Sequence, residues 1–120
     1  MDLTVRARLV SVAVADGTRF IGFAEGDADE PYALFAQGTK GGPVRFEVND
    51  EVFGADDAAA RVVLDAAGLT VEIDPAAAPA LGYASRVTIR LGAGVEGWPA
   101  ALPALRRMLG ARLVEAPAAT

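Results

Sequence analysis

Apolar and polar residues alternate from the start of the chain. Leu3, Val5, Ala7 and Leu9 share one parity, and Thr4, Arg6 and Arg8 the other, which is the period-two pattern of a half-buried strand. At Leu9 and Val10 the apolar set changes parity and continues through Val12 and Val14, so the pattern predicts a bulge there. Asp16-Gly17 is a pair that tolerates positive φ in a tight hairpin, and a second strand follows through Phe20, Ile21 and Phe23. Residues 25 to 31, Glu-Gly-Asp-Ala-Asp-Glu-Pro, are turn formers and acids without an apolar period, and predict an exposed loop. A third strand spans Tyr32 to Gln37. Gly38 to Pro43 predict a flexible turn, and a fourth strand sends Val44, Phe46 and Val48 inward and Arg45, Glu47 and Asn49 outward. From Asn49 to Ala60, acids, one glycine and alanines surround Val52 and Phe53 without a period. That stretch reads as a long, partly ordered connection.

The second half resumes the pattern. Val62 and Leu64 face Leu69, Val71 and Ile73 across Ala66-Ala67-Gly68, a hairpin in which Gly68 takes the left-handed position. Asp74-Pro75 predicts the start of a short helix, limited by Pro79 and stopped at Gly82. A seventh strand runs from Arg86 to Leu91, and Gly92 to Gly97 reads as a turn. Trp98, Ala101, Leu102, Leu105, Met108 and Leu109 recur at helical spacing, with Arg106 and Arg107 at the negative end of the dipole and Gly110 beyond. Pro103 predicts a late start or a kink near Leu102. The expected fold is α+β, a mainly antiparallel sheet of about seven strands, curved or sandwich-like, with a short helix and a C-terminal amphipathic helix. Residues 1–113 are expected to form a single domain and 114–120 a frayed tail.

Composition narrows the chemistry. The 120 residues suit one core. With no cysteine and no histidine, disulfides, thiolate metal sites and histidine-based triads are excluded. No run of eighteen apolar residues occurs and the start lacks a secretory profile, so a cytoplasmic location and no membrane partner are expected. Net charge is −5, but residues 25 to 57 hold nine acids against Lys40 and Arg45. Nucleic-acid binding requires the opposite, a clustered basic face, so the expected partner is a protein with a basic surface. The plainer reading is that acidic loops keep a small domain soluble.

Carboxylates are the only abundant catalytic groups, and Glu47, Asp50, Glu51, Asp56 and Asp57 would have to carry any acid pair or hard-cation site. Their spacing does not follow a calcium loop, so no catalytic residue, metal or cofactor is expected. Gly92-Ala93-Gly94-Val95-Glu96-Gly97 superficially matches a dinucleotide fingerprint, but no strand follows to build the parallel unit that the fingerprint needs. Trp98 suits an interface or, more commonly at the head of an amphipathic helix, the core. Tyr32, Phe35, Gln37 and Phe53 flank or lie within the acidic region, and alternation sends Phe35 and Gln37 to the face opposite Tyr32 and Leu34. One of those faces is expected to be accessible. Arg6, Arg8, Arg45, Arg86 and Arg90 lie on polar strand faces, where pairing with acids across the sheet is expected.

The order of residues resembles the Imm10-type immunity proteins encoded beside bacterial polymorphic toxins. The likeness is carried by Ile21-Gly22-Phe23-Ala24, the acidic loop, Tyr32-Ala33-Leu34-Phe35-Ala36-Gln37 and Val44-Arg45-Phe46-Glu47-Val48-Asn49-Asp50. It continues through the Val71 strand, Leu81-Gly82, the Val87 to Leu91 strand and the closing helix. The chain departs from that pattern at Gly38, where a basic residue is common, and at the alanines 58 to 60. The resemblance implies a non-enzymatic protein that binds and neutralises a toxin domain, with Tyr32, Phe35, Gln37, Glu47, Asn49, Asp50 and Glu51 as candidate contacts. The alternative is a small-ligand-binding or structural domain with a sheet-lined pocket of Phe20, Phe23, Phe46 and Leu34. An enzyme built on a carboxylate pair is the third reading.

Overall fold

A computed structural model describes residues 2–26 and 31–116. The strands are β1 (Asp2–Ala15), β2 (Thr18–Ala24), β3 (Tyr32–Gly38), β4 (Gly41–Val48), β5 (Asp50–Asp56), β6 (Ala59–Asp65), β7 (Gly68–Ile73), β8 (Arg86–Glu96) and β9 (Leu113–Glu115). One α-helix, α1 (Trp98–Leu109), and two 3-10 turns, Ala78–Leu81 and Gly110–Arg112, complete the described elements. All nine strands join one sheet in the order β5-β4-β3-β2-β1-β8-β7-β6-β9.

That order is two meanders joined edge to edge. β1 to β5 form antiparallel neighbours in sequence, as do β6 to β8, and β1 meets β8 in parallel. β9 adds a second parallel pairing, on β6. The mainly antiparallel expectation therefore holds within each meander and needs correction at the two seams. Alternation along a strand encodes which face is buried, and says nothing of which strand lies alongside.

Two of the expected hairpins form where the pattern placed them, while the expected Gly38 to Pro43 turn shrinks to Thr39-Lys40 because Gly41, Gly42 and Pro43 belong to β4. Asp16 (φ 51°) and Gly17 (φ 74°) make the two-residue turn of the first hairpin. Asp65 Oδ1 accepts bonds from the Ala67 and Gly68 amides and closes the β6–β7 turn. The β1 register shifts between Ala7 and Leu9 against β8, which leaves Arg8 and Leu9 both exposed and returns Val10 to the core. Gly97 (φ 85°) lies so close to the Val10 carbonyl that any Cβ there would collide with it.

Four further expectations are corrected. Residues 50–56 form a strand rather than a loose connection, because an edge strand exposed on most of its surface needs no alternating apolar face. The Gly92 to Gly97 stretch extends β8 as far as Glu96. The segment after Asp74-Pro75 winds only into a 3-10 turn, stopped by Gly82 at φ 64°. Val114 and Glu115, expected in a tail, pair with β6. Loop residues 27–30 and tail residues 117–120 lie outside the described residues.

The sheet curls so that its two halves share one core. Phe23, Phe35, Phe46, Val62, Val71, Ile89 and Leu105 belong to a single buried cluster. Helix α1 buries Ala101, Ala104, Leu105, Met108 and Leu109 against it and runs unbroken through Pro103. Pro103 falls in the second turn, where its missing amide costs a single bond to the Pro99 carbonyl. Phe35 packs edge-on to Phe23 at 6.1 Å and tilted to Phe46 at 4.8 Å, and Trp98 closes on Phe23 at 6.2 Å. No described helix is long and apolar enough to cross a membrane.

Candidate functional site

The sheet face opposite this core mixes small residues of the first meander, Gly22, Ala24, Ala36 and Gly54, with Phe20, Tyr32 and Leu34. In register, Ser11, Gly22, Leu34, Glu47 and Gly54 form one row across five strands. Into this row Glu47 is folded down; it is 8 % exposed, the one buried charged residue described. An unpaired buried carboxylate costs several kcal/mol, and here each oxygen has a partner. Tyr32 donates its phenolic proton to Glu47 Oε2 at 2.6 Å, and Arg45 Nε donates to Oε1 at 3.3 Å.

Arg45 then reaches across to β5. Its Nη2 donates to the Glu51 carbonyl at 2.7 Å, and it lies over Gly54, where a Cβ would stand 2.6 Å from that same nitrogen. The chain Tyr32–Glu47–Arg45–Glu51 carbonyl thus ties β3, β4 and β5 together. Burial first, and the Glu47 hydrogen bond second, push the Tyr32 phenol well above its ordinary value of 10.0, with the charges of Glu47, Asp50 and Glu51 adding to the shift.

The same ties shape the edge strand. Asn49, at φ 65°, reverses the chain from β4 into β5; its Oδ1 accepts from the Tyr32 amide and its own amide donates to the Tyr32 carbonyl. Val48 pairs with Asp50 and Glu47 with Gly54, so Glu51, Val52 and Phe53 bulge out of the ladder. Asp50 Oδ1 braces the bulge by accepting from the Val52 amide at 3.1 Å. Val52 is left 70 % exposed and Phe53 43 %; Phe53 lies against Gly82, and the next residue, Tyr83, is 71 % exposed. Behind them is a cleft of about 260 Å³ lined by Leu3, Val48, Asn49, Phe53, Leu81 and Gly82.

The acids divide into two groups. Glu47 is internal, and Asp57 accepts from the Val44 amide and from Arg112 Nη1. Glu25 accepts from the Arg6 amide. Asp50, Glu51 and Asp56 form no ion pair among the described residues, so they give the β5 edge its negative charge. No described group of three or more carboxylates is placed to hold a metal ion.

Of the sequence-derived candidates, Tyr32, Glu47, Asn49, Asp50 and Glu51 come together around the β4–β5 reversal. Phe35 does not. It is fully buried in the core, on the face it shares with Phe23 and Phe46. Gln37 sits at the far end of β3, where Nε2 donates to the Gly42 carbonyl. Glu47 and the Asn49 side chain shape the surface from behind. Sequence reasoning passed over Val52 and Tyr83, and the signal was two adjacent apolar residues, Val52 and Phe53, in a stretch with no buried period. Phe20, Phe23, Phe46 and Leu34 do not line one pocket: Phe23 and Phe46 are in the core, whereas Phe20 and Leu34 sit in the outer rows, opposite Ala36 and Gly22. No protein-family model, curated protein or solved structure matches the chain.

Proposed function

We propose that the chain is an immunity protein that docks its β5 edge on a basic surface of a bacterial toxin domain in the cytoplasm and occludes it. The observation that carries this reading is the bulge. It lifts Val52 and Phe53 out of the sheet beside a cleft, with Asp50, Glu51 and Asp56 around them. An exposed apolar centre with a charged border is the anatomy of a protein interface, and the resemblance to immunity proteins supplies the class of partner.

The cleft behind Phe53, about 260 Å³, has a mainly apolar lining. It would take an apolar side chain of a partner, an anchor of the kind that dominates interface energy. The acids would act mainly on encounter, by attracting a basic surface and orienting it.

Co-expression with a toxin domain encoded beside this chain tests the proposal. Protection of the cells is expected, and Val52→Asp with Phe53→Asp should abolish it while the protein remains folded. Protection that survives both substitutions would rule out the β5 edge as the docking surface.

A further inference from the structure

Among the described residues, those other than glycine that take a positive φ are Asp16 at 51°, Asn49 at 65°, Asp57 at 54° and Tyr83 at 65°. Asp and Asn visit that region at small cost, because a short polar side chain can bond locally. Asn49 and Asp57 use theirs to accept from the amides of Tyr32 and Val44. A bulky residue in the same region is an outlier that calls for a reason. Tyr83 is that outlier.

The turn accounts for the backbone and leaves the side chain unexplained. Gly82, left-handed at φ 64°, caps the 3-10 turn Ala78–Leu81, and the Tyr83 amide then donates to the Ala78 carbonyl at 2.7 Å. Glycine would take this second left-handed position without the Cβ strain. The tyrosine ring returns nothing to the fold. It is 71 % exposed, and among the described residues it stacks on no other ring and its hydroxyl makes no hydrogen bond. Strain of this kind is characteristic of binding sites.

Two Phe53 ring carbons lie 3.8 Å from where a Gly82 Cβ would stand, and the Tyr83 Cα is one peptide further, about 3.8 Å on. The bulge that carries Phe53 also carries Asp50 and Glu51, which form no ion pair among the described residues. Arg45, which reaches the bulge, is engaged by Glu47 and the Glu51 carbonyl. We propose that Tyr83 is a further anchor of the β5 docking surface and stacks on an arginine side chain of the toxin partner, whose guanidinium is drawn in by Asp50 and Glu51. The inference rests on docking through β5 and adds the chemistry of the contact. Aromatic faces attract cations, arginine most often, and a planar guanidinium both lies on a ring and pairs with carboxylates. A lysine ammonium is a point charge without a flat face.

The test is titration of hexa-arginine and hexalysine peptides into the full chain, followed by amide NMR, with the melting temperature of each variant. Saturable shifts are expected at residues 50–53 and 82–83, with hexa-arginine several-fold tighter than hexalysine. Tyr83→Gly should weaken hexa-arginine binding about fivefold while melting at or above the wild-type temperature, since it relieves the backbone. Tyr83→Phe keeps the ring and should bind as the wild type does. Unchanged binding in Tyr83→Gly, a lowered melting temperature in that variant, weakened binding in Tyr83→Phe, or equal affinity for the two peptides would each overturn the assignment. Cell protection by the Val52→Asp and Phe53→Asp variant is read independently of all four, so failure here is distinguishable from failure of docking through β5.

Discussion

Tyr32 on β3 donates a 2.6 Å hydrogen bond to Glu47 on β4, and through Arg45 that bond reaches the backbone of β5. An internal network therefore holds the outward bulge, and substitutions can separate the residues that hold it from the residues that meet a partner.

Tyr32→Phe removes one of the two partners of a nearly buried carboxylate. A loss of about 1–3 kcal/mol is expected, measured by urea unfolding near neutral pH. Equal stability of the variant would mean that solvent already satisfies Glu47.

The pH dependence has a definite sign. Burial and the Glu47 bond raise the folded-state value of Tyr32 above the ordinary 10.0, so the stabilising contribution is complete below pH 10.0. It is lost as pH rises from there through the folded value, because the unfolded chain releases that proton first. Stability should fall on the alkaline side in the wild type, and less steeply in Tyr32→Phe. Unfolding curves collected across the alkaline range check both.

Gly54→Ala places a methyl group 2.7 Å from the Glu47 Cβ and 2.6 Å from Arg45 Nη2. The guanidinium can swing away, but the Glu47 Cβ belongs to the sheet. A cost of about 1–3 kcal/mol is expected, with loss of the Arg45 bond to Glu51 and faster amide exchange in residues 51–53.

Gly97→Ala and Gly92→Ala form a matched pair. At Gly97 the methyl meets the Val10 carbonyl at a positive φ, and at Gly92 it meets nothing within 4 Å. Circular dichroism should show Gly97→Ala unfolded or strongly destabilised and Gly92→Ala close to wild type.

These comparisons mark what the residue pattern encodes. Asp16-Gly17, the Leu9–Val10 parity change and the α1 stripe were legible because local conformation and burial write directly into residue choice. β5 was not, since its residues 50–53 are all exposed and no alternation survives. The β1–β8 and β6–β9 pairings were invisible for a different reason: a half-buried strand reads the same beside either neighbour. For the site, alternation separated Tyr32 from Phe35 but did not say which face was covered. The row partners did, with Phe23, Phe35 and Phe46 together on one side and the glycines Gly22 and Gly54 set among Phe20, Tyr32 and Leu34 on the other. The acidity of the middle region was legible as a sum, while the internal roles of Glu47 and Asp57 depend on contacts with Tyr32, Arg45 and Arg112.

The acids of the β5 edge that form no described ion pair should govern the rate of encounter. Asp50→Asn, Glu51→Gln and Asp56→Asn together are expected to slow association with the toxin domain by about tenfold at low salt, with little change in dissociation. The difference should shrink as salt rises. Stopped-flow association at several ionic strengths checks this, and rates indifferent to salt would remove the electrostatic part of the account.

The decisive comparison is the affinity of the toxin domain for Phe53→Asp and for Val14→Asp. Both residues are exposed, at 43 % and 58 %, but one lies on the β5 bulge and the other at the tip of the β1–β2 hairpin. Calorimetric titration should show Phe53→Asp weakened by about a hundredfold, as for an interface anchor, and Val14→Asp unchanged. Equal affinities for the two variants would contradict docking through β5.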